Sequence, residues 1–90
     1  MAIEFDEPLI LGSAHRHQVS DEDMLNAYAF ALAWFVDESG TRPLIMLIGP
    51  SLSGSTLLEV GVVVRPDYDA ICIVHAQAAR VDTLRKGGLL

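Results

Sequence analysis

The sequence predicts an α+β fold, with one main helix packed on a three- to four-stranded antiparallel meander and a short C-terminal helix or tail. Three observations carry this. A helix-capping signal followed by apolar residues at helical spacing occupies residues 20–36. Three strand-like runs follow, "PLIMLIG" (43–49), "TLLEVGVVV" (56–64) and "AICIVHA" (70–76), each rich in β-branched or long apolar residues. The connections between them, "GPSLSGS" and "RPDYD", are short and rich in Pro, Gly, Ser and Asp, as hairpin loops are.

The opening segment "IEFDEPLILGSAHRHQ" admits two readings. Ile3 and Phe5 alternate with Glu4 and Asp6 as in a short strand, while Pro8 suits the first turn of a short helix over "EPLILGSAHRH", interrupted by Gly12. Ser20 then begins a capping box, in which its hydroxyl accepts from the Asp23 amide and Asp23 reaches back to the Ser20 amide. Asp21, Glu22 and Asp23 lie at the positive end of the helix dipole, so these carboxylates mark a helix start rather than a catalytic group. Met24, Tyr28, Ala31 and Phe35 recur at helical spacing, Leu25, Ala29 and Leu32 widen the stripe, and "DESG" supplies a polar stop ending in Gly40.

In the middle strand, Leu58, Val60, Val62 and Val64 share one face and Glu59, Gly61 and Val63 the other. After Ala76 the alternation fails, and "QAARVDTLRK" reads as the closing helix or an irregular tail ending at Gly87. "GPSLSGST" has the glycine spacing of a phosphate-binding loop. However, Ser55 stands where its lysine belongs, and a strand follows where that motif needs a helix.

Composition narrows the function classes. The 90 residues form one domain, 1–90, with 51% apolar residues, which argues for a packed core and against disorder. No apolar run approaches the ~20 residues that cross a bilayer, and the acidic start lacks the basic and apolar regions of a signal peptide. A cytoplasmic protein that makes no use of a membrane is therefore expected. The single cysteine, Cys72, has no internal partner and reads as a small core residue. One sheet covered mainly by one helix leaves apolar residues such as Ile45, Leu47 and Val63 short of cover, which predicts self-association or partner binding through the sheet or the aromatic helix. A net charge of −6 requires any nucleic-acid contact to come from a local basic patch. Arg16, Arg80, Arg85 and Lys86 supply one if the two chain ends meet.

The histidines are the candidates for chemistry. His15 and His17 are two apart and point away from each other on a helix. A zinc site needs a third ligand and an orienting second shell, and with no cysteine pair beside these histidines neither a metal nor a cofactor is assigned. His75 reads either as a strand-end histidine bonded to backbone or as part of a site. In the second case the end of the last strand lies near the helix entrance, bringing His75 and Arg80 toward His17 and Arg16. Histidine acts as acid or base near neutral pH and arginine grips phosphate, so this set suits RNA cleavage by in-line attack of the 2′-hydroxyl.

"HRHQVSDEDMLNA" (15–27) resembles the segment of BrnT-type toxins that runs Lys-His-Gly-Val-Ser-Phe-Glu-Glu-Ala. "AICIVHAQAARVDTLRK" (70–86) resembles their closing strand and Arg-rich tail. The similarity in order covers the chain from about His15 onward. It implies a RelE-like α+β fold, ribonuclease toxicity on RNA, a cognate antitoxin protein and a type II toxin–antitoxin operon. By position, Arg16 falls on the family's lysine, His17 on its histidine, and Val19 and Ser20 on the start of its helix. The chain departs from the family at Gln18, which replaces a glycine, at Gln77, which replaces an arginine, and at Ala78, where a second cation is common. It also shortens the basic first helix and is acidic overall. Arg80, three residues on, is the candidate substitute for the missing arginine. The alternative is a catalytically degenerate BrnT-like protein-binding or dimerisation module. A basic patch around His17 and Arg80 would favour the nuclease, and an apolar or acidic one the module. A small-molecule-binding protein would need a deep pocket, of which the sequence gives no sign.

Overall fold

The computed structural model describes residues 7–90. The proposed strand at Ile3 and Phe5 lies outside the described residues. Ser20 begins the main helix as expected: its Oγ accepts from the Asp23 amide at 3.2 Å, and the helix α1 spans Asp21–Ala29. The capping box is only half formed. The Asp23 carboxylate accepts from the Leu52 amide at 2.8 Å instead of turning back to Ser20, and so ties the helix to the loop opposite.

The helix is much shorter than 20–36. It closes at Phe30, whose amide donates to the Asn26 carbonyl, and Ala33–Asp37 form a strand, β2. The Met24, Tyr28, Ala31, Phe35 spacing is compatible with a helix throughout, but "AWFVD" also alternates with period two and carries aromatic and β-branched residues. Strand pairing decides between them: Phe35 stands opposite Met46, and Trp34 opposite Leu47, in an antiparallel ladder with β3, Leu44–Pro50.

Two hairpins continue the chain into β4, Leu57–Arg65, and β5, Ala70–Ala78. Both loops fall where their Gly, Pro, Ser and Asp residues place them, and β5 runs two residues beyond Ala76. Leu9–Ile10 form a further strand, β1, which pairs with β5 in parallel, opposite Cys72 and Ile73. The sheet is therefore five-stranded and mixed, in the order β1-β5-β4-β3-β2, rather than a purely antiparallel meander. The "EPLILGSAHRH" segment is helical only at Gly12–His15, a 3₁₀ helix. The closing helix α2 covers Val81–Lys86. No helix among the described residues is long and apolar enough to cross a membrane.

The two sheet faces have different roles. On one, Leu58, Val60 and Val62 of β4 join Met24 and Ala27 of α1 in the buried core. The helix lies so close that a Cβ on Gly49 would overlap the Ala27 carbonyl, which accounts for the glycine. The other face carries Glu59 and Gly61 and is partly roofed by the end of α2, where Gly87 abuts Ile48. A β-bulge shifts the register between Gly61 and Val62, which face His75 and Ile73 respectively, so Val74 is the extra residue. The bulge lets Ile73 and Ala76 both enter the core while His75 and Gln77 meet Glu59. Cys72 is buried, in line with its reading as a core residue.

Candidate functional site

Glu59 is a carboxylate inside the apolar run 57–64 of β4, and its side chain has no exposed surface. A charge so enclosed persists only if it is paired and hydrogen-bonded. Arg80 provides most of the pairing. Its backbone amide and its Nε donate to Oε1 at 3.0 and 3.1 Å, and its Nη2 donates to Oε2 at 2.8 Å. Oε2 also lies 2.9 Å from His75 Nε2 and accepts from the Gln77 side-chain amide at 3.2 Å. Burial pushes the Glu59 carboxyl up, but the hydrogen bonds from His75, Arg80 and Thr83 outweigh it and hold the group well below the usual carboxylate range.

The sign of the linkage follows. Because the folded-state value is depressed, this pairing stabilises the fold fully above the ordinary value of 4.5 and is lost as pH falls below it. The urea midpoint should stay level from neutral pH to about pH 5 and then decline, with a shallower decline in Glu59→Gln. An equal acid decline in both proteins would show that Glu59 is not the responsible group.

His17 reaches this network from the loop between the 3₁₀ helix and α1. Its ring lies edge-to-face against that of His75, with centroids 5.8 Å apart and planes at 78°. Three anchors hold that loop on β5. β1 pairs with β5, Leu11 donates its amide to the Ile73 carbonyl at 2.9 Å, and Ser13 Oγ donates to the Val74 carbonyl at 2.8 Å. Gln18, next to His17, adopts the left-handed conformation at φ 62°, a backbone state that glycine reaches without steric cost. A non-glycine residue held there stores local strain directly beside the histidine pair.

The structure thus brings together His17, His75 and Arg80, with Glu59 at the centre. Arg16 adjoins His17 in the chain and is exposed, but it forms no ion pair among the described residues. His15 stands apart, bound to Asp21 at 2.6 Å, and Lys86 is paired with Asp82 at 3.2 Å. The charges of Glu59 and Arg80 cancel, and Arg80 also feels the carboxylates of Asp37 and Asp82, so no excess positive charge surrounds the guanidinium and Arg16 is the cation that adjoins the histidine pair. Glu59 is not among the site residues that the sequence singles out. The available signal was a lone acid within "LLEVGVVV", since a charge on a strand buried on both faces requires partners.

The cluster offers two imidazoles able to exchange protons and a guanidinium fixed in orientation by a bidentate carboxylate grip. His75 is 24% exposed and Arg80 59% exposed, so both are open to a ligand from solvent while Glu59 is not. Among the described residues, no group of three or more His, Cys, Asp or Glu side chains is placed to hold a metal ion. In comparisons with protein-family models, curated proteins and solved structures, the chain matches none.

Proposed function

We propose that this chain is a BrnT-like toxin domain that cleaves RNA at the His17–His75–Arg80 cluster, with a cognate antitoxin as its partner. The observation that supports this reading is the meeting of His17, from the N-terminal loop, with His75 of β5 and with Arg80, just beyond β5, around Glu59 on the sheet face away from α1. One imidazole takes the proton of the 2′-hydroxyl as its oxygen bonds to phosphorus. The other, protonated, gives a proton to the 5′-oxygen as the P–O5′ bond breaks. The products are a 2′,3′-cyclic phosphate and a 5′-hydroxyl, with no net redox change and no external reactant. Arg80 stabilises the charge that gathers on the phosphoryl oxygens, and Arg16 holds a neighbouring phosphate.

The test is induced expression in a bacterial host. The wild type should arrest growth, and co-expression of the protein encoded beside it should restore growth. A harmless wild type, with cellular RNA intact, would refute the toxin reading.

A separate observation favours the second reading, a catalytically degenerate BrnT-like module for protein binding or dimerisation. Trp34, Val36 and Val64 are exposed on the α1 side of the sheet, beside an apolar groove of about 590 Å³ lined in part by Tyr28, Leu47 and Ile71. Isolated apolar residues on a surface are ordinary, but a contiguous set beside a groove is a feature of interaction sites. Homo-oligomerisation through this face would appear in light scattering as a mass that rises with concentration. A constant monomer mass would count against it.

A further inference from the structure

We infer that Glu59 is a positioning residue that fixes His75 as its Nε2–H tautomer, leaving Nδ1 as the nitrogen that takes up a proton from a bound ligand. In its catalytic form this rests on the RNA-cleavage reading above. An ionised carboxylate accepts hydrogen bonds and donates none, so at 2.9 Å from Oε2 the His75 Nε2 must carry the hydrogen. Gln77 directs its amide nitrogen to the same oxygen, and the 3.4 Å between the two nitrogens reflects two donors converging on one acceptor.

The charged and titratable groups around His75 come from three elements. Glu59 comes from β4, Arg80 follows β5, and His17 comes from the loop before α1. β3 contributes no titratable group on this side: Leu44 and His75 both pack against Gly61, and Met46 and Ile48 stand opposite Gly61 and Glu59. Nδ1 forms no hydrogen bond among the described residues. The same carboxylate grips the Arg80 guanidinium, so a single buried group sets both the tautomer of the imidazole and the direction of the cation beside it.

In the cleavage step the Nδ1 lone pair takes the proton of the 2′-hydroxyl while that oxygen bonds to phosphorus, and protonated His17 supplies the proton to the departing 5′-oxygen. Glu59 stays ionised throughout and exchanges no proton. It stabilises the His75 imidazolium that forms and keeps the ring from turning. A purely structural Glu59 would fix the same tautomer, so it is the loss of kcat in the variant that separates the two roles.

Two measurements on the intact chain test this. Two-bond ¹H–¹⁵N spectra of the histidine rings, assigned with His75→Asn, should show neutral His75 protonated on Nε2. In Glu59→Gln, whose amide can donate as well as accept, both tautomers should appear. The same variant should lose about 10–100-fold in kcat for RNA cleavage, with KM little changed. A wild-type spectrum showing the Nδ1–H tautomer overturns the inference whatever the variant does, and so does a Glu59→Gln protein that keeps the wild-type kcat. If Glu59→Gln does not fold, the wild-type spectrum alone decides. A wild type that cleaves no RNA yet shows the Nε2–H tautomer sinks the cleavage reading and leaves the assignment of Nδ1 standing.

Discussion

Replacing His17 with alanine should lower RNA cleavage by about 10²–10⁴-fold, the usual consequence of removing a general acid or base, and should end growth arrest on expression. The fold should barely respond. His17 is exposed, it makes no hydrogen bond among the described residues, and its notable contact is the edge of the His75 ring. Asp23→Ala is the informative comparison, because it removes the acceptor for the Leu52 amide and an acid from the first turn of α1. It should cost about 1 kcal/mol of stability and leave cleavage intact. A His17→Ala protein that cleaves like wild type, or that loses activity only in proportion to lost stability, would remove the acid–base role from this residue.

Arg80→Ala should produce the largest stability loss of any change at the site, about 2–3 kcal/mol in urea unfolding at neutral pH. The substitution leaves the Glu59 carboxylate enclosed, with only His75, Gln77, Thr83 and the residue-80 backbone amide as donors. Breaking a fully buried ion pair typically costs about 3–5 kcal/mol. The lower figure applies here because the Arg80 side chain is 59% exposed and already shares its charge with water. Combining Arg80→Ala with Glu59→Gln should recover part of the loss, since the second change removes the stranded charge. If Arg80→Ala unfolds like wild type, the Glu59–Arg80 pair is ornamental, and the guanidinium is not held in the orientation that phosphate binding requires.

The parts of the fold that were legible in the sequence are those where one periodicity had no competitor. The runs of β3, β4 and β5 are strongly apolar and rich in β-branched residues, and the turn residues Gly, Ser, Pro and Asp are concentrated in the loops between them. β2 was hidden because Met24, Tyr28, Ala31 and Phe35 fit a continued helix as well as Trp34 and Val36 fit a strand. Only the hydrogen-bonding partner offered by β3 separates the two. β1 was hidden for a different reason: two residues, Leu9 and Ile10, carry no period, and their parallel pairing with β5 is a long-range contact.

That unread strand is what delivers His17 to His75. The sequence reading brought the same residues together through the geometry of a meander, whereas β1 and the 3₁₀ helix dock the loop on β5 directly. Glu59 was visible as an anomaly, but its partners depend on register. Gln77 stands directly opposite it, and His75, two residues earlier, shares that face by alternation, while the bulge at Val74 returns Ile73 to the core side.

The most direct test is incubation of purified protein with a single-stranded RNA and with the same oligonucleotide carrying 2′-deoxy sugars. The account predicts RNA fragments ending in a 2′,3′-cyclic phosphate and a 5′-hydroxyl, and no cleavage at any deoxy position, because the attacking group is the 2′-hydroxyl. RNA left intact, or cut equally well when the 2′-hydroxyl is absent, would contradict it.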